Sequence, residues 1–160
     1  MNLAEDLARL IGIPSVTGEE EALCTALARR LSPRFGAEAL LRVGNALVVG
    51  RPGPGIPITL YGHLDTVPAQ GNATPEMREG RVFGLGASDM KAGLAVMLAL
   101  VEDPEVAAGP CCLSAVFYDR EEGPAHENGL EEVLNRVGWL AEAALAVVLE
   151  PTDLELQPGC

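Results

Sequence analysis

The chain has 160 residues, of which 48% are hydrophobic and 4% aromatic, with a formal net charge of -12 and a pI of about 4.5. That is long and apolar enough for one α/β domain with a Leu/Val/Ala core. It is too acidic, with no basic stripe, to make nucleic acid a natural partner.

A first helix is expected over residues 3–10. The N-terminal stretch carries Glu5 and Asp6 where a secretory leader would carry lysines, and no apolar run reaches spanning length. These features point to a cytoplasmic protein with no membrane partner. After a turn at Pro14 and Gly18, Thr17 and Glu20 have the spacing of a capping box. Leu23, Leu27 and Leu31 then stripe a second helix, which Pro33 and Gly36 are expected to end. Residues 40–43 and 46–49 read as short strands around Gly44-Asn45.

Residues 51–57 form a Pro/Gly-rich loop, and 58–61 a buried strand running into Gly62-His63. Residues 69–80 are a polar excursion. Leu94, Met97, Leu98 and Val101 mark a helix over 90–101 that starts directly after Asp89. Residues 112–118 are a strand leading to Asp119-Arg-Glu-Glu122, 130–137 a short amphipathic helix, and 144–149 a buried strand ending in Glu150. Strands alternating with helices predict a three-layer α/β/α sandwich with a mixed, largely parallel sheet. Cys24, Cys111, Cys112 and Cys160 lack CxxC spacing and are expected to be reduced thiols.

Ligands in open α/β sheets collect outside the carboxyl ends of the strands. His63, the pair Glu121-Glu122 and Glu150 each follow a predicted strand, and Asp89 opens a predicted helix, whose dipole favours an ionised carboxylate. Four segments can therefore deliver ligand-type groups to one rim. One histidine with carboxylates and no thiolate suits a catalytic zinc, cobalt or manganese site better than a structural zinc cage. Asp65, two residues past His63, can accept the other imidazole N–H and fix the tautomer. In extended backbone Glu121 and Glu122 point opposite ways, so one can bind metal while the other faces substrate as a general base. Taken singly, each signal has a plainer reading. Asp89 can be an N-cap, Lys91 and Arg120 ion-pair partners, and His126 a surface residue. Convergence of all four segments by coincidence is much harder to account for.

Pro14-Ser-Val-Thr-Gly-Glu-Glu20, Gly62-His-Leu-Asp-Thr-Val-Pro68, Gly86-Ala-Ser-Asp-Met-Lys-Ala-Gly93, Glu121-Glu122 and Glu150-Pro-Thr152 follow one another in an order that resembles a known family. It is the family of zinc-dependent amidohydrolases and exopeptidases that includes succinyl-diaminopimelate desuccinylase, acetylornithine deacetylase, aminoacylase and glutamate carboxypeptidase. Within it, Phe117-Tyr-Asp-Arg-Glu-Glu122 and the segment from Glu150 look most like the actinobacterial-type desuccinylases.

The resemblance implies two divalent ions, Zn2+ with Co2+ or Mn2+ as alternatives. Asp89 would bridge them. His63 and Glu150 would complete one ion's protein ligands, and Glu122 would bind the other. Asp65 would orient His63, and Glu121 would be the general base. The implied substrate is a small N-acyl amino acid. Family members are considerably longer. They carry a lid domain through which they dimerise, and a later histidine ligand that this chain does not contain. Residues 1–160 would then be the N-terminal part of a catalytic domain, inactive alone. The resemblance implies hydrolysis of N-succinyl-diaminopimelate to succinate and diaminopimelate, a step toward lysine; other readings are an acetylornithine deacetylase, an N-acyl-amino-acid deacylase or a dipeptidase of the same family, or a non-catalytic remnant that binds a metal or a partner chain.

Overall fold

The computed structural model describes residues 2–153 and 155–158, so the expectation for Cys160 lies outside the described residues. Its elements run α1 (Leu3–Ile11), α2 (Glu21–Phe35), β1 (Leu40–Val43), β2 (Ala46–Val49), β3 (Ile56–His63), β4 (Glu76–Arg78), β5 (Arg81–Phe83), α3 (Ala92–Glu102), α4 (Pro104–Ala107), β6 (Cys111–Tyr118), α5 (Gly129–Arg136) and β7 (Leu145–Val148). Cys24, Cys111 and Cys112 are free thiols. Among the described residues no helix is long and apolar enough to cross a membrane.

Five strands form one sheet in the order β1-β2-β6-β3-β7. The β1–β2 hairpin joins β6 antiparallel, while β3 pairs parallel with both β6 and β7. The sheet is thus mixed, with its parallel half at β6-β3-β7. One face packs Leu47, Leu60, Ala115 and Phe117 against α1, α2 and α3 through Leu10, Leu27 and Leu98. The other face packs Val48, Tyr61 and Val116 against Val133 of α5 and Leu140 just beyond it. These are the three expected layers. The outermost strand, β7, leaves Leu145 and Val148 exposed.

Four local expectations are corrected. The capping box does not form. The Thr17 hydroxyl donates to Asp65 Oδ2 at 2.9 Å, and Glu20 turns back to accept the Gly18 N–H at 2.6 Å and the Asn45 amide at 3.2 Å. The box fails because α2 begins at Glu21 with Glu20 as its N-cap, so Thr17 lies three residues ahead of the helix end. Pro33 does not end α2, which runs to Phe35. The Arg29 carbonyl that a residue-33 N–H would have met is met instead by Ser32 Oγ at 3.2 Å. The helix stops only at Gly36, where φ is 66°. The polar excursion contains β4, which forms a small ribbon with β5 across Glu79-Gly80, both at positive φ. Finally, Asp89 does not open a helix, since α3 begins at Ala92.

Close approach of α3 to the sheet depends on Gly62. A Cβ there would meet Leu94 Cδ2 and Met90 Cε at 2.8 Å and Met97 Sδ at 2.9 Å. Gly62→Ala is expected to destabilise the fold by about 1–3 kcal/mol through overpacking, measured by chemical denaturation.

The same three helices are tied by one polar cluster. Arg30 of α2 donates to Asp6 of α1 at 2.9 and 3.1 Å and to Glu102 of α3 at 2.8 and 2.7 Å. The hydrogen bonds from Arg30 outweigh burial and hold the Asp6 carboxyl below the usual carboxylate range. A depressed folded-state pKa contributes stability that is present above the unfolded value and lost as pH falls through the folded one. Arg30→Met is therefore expected to cost about 2 kcal/mol at pH 7, because Glu102 loses its guanidinium partner and Asp6 keeps only Arg9, at 3.2 Å. The difference from the parent should shrink in denaturation curves taken below the ordinary Asp range.

Candidate metal centre

The register of the parallel strands sets the rim. His63 lies opposite Tyr118, and Tyr61 opposite Val148. The chain leaving β3, β6 and β7 therefore emerges at one edge, carrying Asp65, Glu121-Glu122 and Glu150. Asp89 arrives from the other direction, in an irregular turn (Ala87–Lys91) ahead of α3.

Two anchors hold that turn. Met90 is fully buried, and its sulfur accepts the His63 backbone N–H at 3.2 Å. Lys91, expected as an ion-pair partner, is buried, and Nζ donates to the carbonyls of Leu10 at 3.0 Å and Ile13 at 2.9 Å. It caps the end of α1 and ties it to the Asp89 turn. Burial pulls its pKa down to about 8.

The site gathers around His63, whose side chain is fully buried. Nε2 lies 3.0 Å from Asp89 Oδ1 and 3.7 Å from Glu150 Oε1. His63, Asp89 and Glu122 each offer a ligand atom within 4.8 Å of the others, the one such group among the described residues. In a tetrahedral site with bonds of about 2.0–2.1 Å, ligand atoms sit about 3.3 Å apart. The His63 separations to Asp89 and Glu150 bracket that spacing. The donor set thus fits a divalent ion, with His63, Asp89, Glu122 and Glu150 as the residues that could hold it.

The opposite imidazole nitrogen faces Asp65 twice, with the backbone carbonyl nearer than the expected carboxylate. Nδ1 lies 3.0 Å from the Asp65 backbone carbonyl, and the Asp65 carboxylate is farther, at 3.4 Å. The carbonyl acceptor keeps a proton on Nδ1, which leaves Nε2 as the nitrogen that faces the rim. The Asp65 carboxylate has further partners besides the imidazole. Oδ1 accepts the Glu121 N–H at 2.9 Å, and Oδ2 accepts the Glu122 N–H at 3.0 Å and the Thr17 hydroxyl. The Glu pair is not extended. Arg120 sits at φ 60°, and the chain bends so that two successive amides face Asp65. Arg120 Nε lies 3.8 Å from Asp119, and His126 is exposed beside Glu127.

Electrostatics mark the cluster as short of positive charge. Burial alone would lower the His63 pKa, but hydrogen bonds to Asp65 and Asp89 and the field of Glu150 outweigh it and raise it to about 9. Burial raises Glu150 to about 7, with the charges of Asp89 and Glu121 adding and His63 opposing. Glu122 is raised by burial and by Asp89. Asp65 goes the other way. Burial would raise it, but His63, the two amides and Thr17 together hold it below the usual range.

Missing from the sequence reading were Thr17, Met90 and Lys91. Thr17 had a visible signal in Pro14-Ser-Val-Thr-Gly, but its spacing to Glu20 was assigned to a helix cap. The partners of Met90 and Lys91 had none, because they are distant in sequence.

A three-layer α/β sandwich with a histidine and carboxylates on the rim of its parallel strands is an arrangement that can hold a divalent ion. The chain belongs to Peptidase family M20/M25/M40, which matches residues 59–160. It is 34% identical over 159 residues to the succinyl-diaminopimelate desuccinylase of Corynebacterium glutamicum, covering 95% of this chain and 42% of that protein. The fold is similar to an M20 family metallo-carboxypeptidase from Sulfolobus solfataricus, with a TM-score of 0.74 at 16% identity over 93% of this chain and 37% of that one. It is also similar to a dinuclear metal-binding M20 peptidase of Bacillus subtilis, with a TM-score of 0.60 at 16% identity over 91% and 41%. The chain spans less than half the length of the curated relatives it matches.

Before an ion binds, His63, at about 9, holds its proton at neutral pH, and Glu150, at about 7, is about half protonated. Zinc binding at pH 7 is expected to release about one to two protons. Calorimetry in buffers of different ionisation enthalpy reads that number, and a value near zero would remove His63 from the ligand set.

Proposed function

We propose that this chain is the N-terminal part of the catalytic domain of a dinuclear, zinc-dependent amide hydrolase. Its proposed substrate is N-succinyl-LL-2,6-diaminopimelate, cleaved to succinate and LL-diaminopimelate. The observation that carries the reading is the gathering of His63, Asp89 and Glu122 within 4.8 Å, with Glu150 3.7 Å from His63. The identity to the Corynebacterium desuccinylase supports the choice of substrate.

Asp89 would be the ligand shared by two ions, with His63 and Glu150 holding one and Glu122 the other. Cobalt or manganese could replace zinc on the same oxygen and nitrogen donors. Bound ions would supply Lewis-acid chemistry, polarising the amide carbonyl and making water acidic enough to lose a proton near neutral pH. Glu121, half-buried beside these ligands, is the proton carrier. It takes a proton from the attacking water and returns it to the leaving amine nitrogen as the C–N bond breaks. Asp65 orients His63 from behind.

In this reading the remaining ligand histidine, the lid and the homodimer contact belong to chain beyond residue 160. The whole enzyme works in the cytoplasm, and the 160 residues alone do not turn over. In the full-length enzyme, Glu121→Gln is expected to lower kcat by about two to four orders of magnitude while zinc content stays unchanged. Full activity in that variant would remove Glu121 from the mechanism. A panel of succinyl, acetyl and dipeptide substrates separates the desuccinylase from a deacylase or dipeptidase.

A further inference from the structure

Asp65 has more partners than orienting a histidine requires. Its side chain is fully buried, and both carboxylate oxygens are engaged by groups other than the imidazole. Two are successive amides of the Glu pair, one on each oxygen. The third is the Thr17 hydroxyl. Such a pattern is a template: the carboxylate fixes the direction of the backbone that carries both glutamates.

Thr17 comes from a stretch without a single ligand, yet that stretch is secured along its length. Ser15 Oγ donates to the Leu64 carbonyl at 2.8 Å, and the Thr66 N–H donates to the Ser15 carbonyl at 2.9 Å. Val16 bridges to Thr66 in parallel, and the Thr17 N–H donates to the Thr66 carbonyl at 3.1 Å. The segment is in effect an added strand beside 64–66. Its last side chain points at Asp65.

The Thr17 hydroxyl has one proton and two acceptors in reach, Asp65 Oδ2 at 2.9 Å and the Thr66 carbonyl at 3.5 Å. The nearer acceptor is also the charged one, so the proton goes to Asp65. On its other side, the Thr17 methyl packs where a Cβ on Gly123 would come within 3.1 Å. Thr17 thus touches both the template and the loop it shapes.

We propose that the Asp65 carboxylate positions Glu121 and Glu122 as well as His63, and that Thr17 is the positioning residue that holds Asp65 in that task. The role rests on the metal-hydrolase reading, because it matters most if Glu122 binds an ion and Glu121 carries the proton. Loss of the hydroxyl leaves Asp65 with one donor fewer and frees the loop that both amides tether.

The test uses the 160-residue chain and two readouts. Amide hydrogen exchange by NMR follows the Glu121 and Glu122 N–H groups, with β3 amides as a control for the fold. A zinc titration follows affinity. Thr17→Val keeps the shape and removes the hydroxyl, and Thr17→Ser keeps the hydroxyl and removes the methyl. The expected result is Glu121 and Glu122 exchange about tenfold or more faster in Thr17→Val, with zinc bound about tenfold more weakly and Thr17→Ser restoring both. Unchanged exchange in Thr17→Val would overturn the proposal, as would a Thr17→Ser variant as impaired as Thr17→Val. If Thr17→Val loses β3 protection, the comparison of Thr17→Ser with Thr17→Ala reads the same hydroxyl. Should neither this chain nor the full-length protein bind zinc, the hydrolase reading fails, while the exchange arm still decides the role of Thr17.

Discussion

Parallel pairing of β3 with β6 on one side and β7 on the other is the constraint from which the site follows. It brings three strand ends to one level, with His63 beside Tyr118 and Tyr61 beside Val148. Antiparallel neighbours would have sent their carboxyl ends to opposite edges. A slip of one residue would exchange the faces of the sheet and turn buried side chains out to water. The fourth contribution comes from outside the sheet, and it arrives only because α3 lies close enough for Met90 to reach the His63 amide. Gly62 beneath α3, and Gly93, where a Cβ would come within 2.7 Å of the Leu149 carbonyl, keep that distance short.

The rim is an expensive arrangement for a folded chain. Five carboxylates surround one imidazole, and burial and mutual repulsion push Glu122 and Glu150 toward holding protons. Asp65 goes the other way, because hydrogen-bond donors surround it. The stability that offsets this lies elsewhere, in the Leu-rich packing of α1, α2 and α3 and in the Arg30 cluster that ties those helices together. Perturbed groups concentrated at one rim, above an otherwise well-satisfied fold, are the pattern expected of a site built to receive positive charge.

Much of this was legible in the sequence. The strand ending at His63 and the strand before Glu121 announce themselves through apolar runs that stop at polar residues. Strand order was not legible. Nothing local to 46–49 tells that β2 lies against β6, since that pairing joins residues nearly 70 positions apart. The capping box was misread for a related reason. Thr17 and Glu20 have the right spacing for a cap, but spacing cannot reveal that α2 starts only at Glu21 or that a buried carboxylate from residue 65 takes the Thr17 proton. Pro33 failed as a stop because its neighbour Ser32 meets the carbonyl that proline leaves bare. Asp89 was placed correctly at the rim for the wrong reason, since it acts from an irregular turn and not from a helix start.

The contrast between Asp89 and Asp65 separates two jobs that look alike in a sequence. Both are aspartates a few residues from an apolar element, and both lie next to His63. The Asp89 side chain is 54% exposed, and its oxygen faces the open rim, while that of Asp65 is wholly buried behind the imidazole. An exposed acid near a histidine remains free to rotate and to choose water. It becomes a ligand only when the groups around it are held still, which is work done from behind by backbone amides, carbonyls and hydroxyls. In this chain that holding is shared among Asp65, Met90 and Lys91, each reaching a distant segment through a single side chain. The rim residues define what chemistry is possible, and the buried ones define whether its geometry persists long enough to be used.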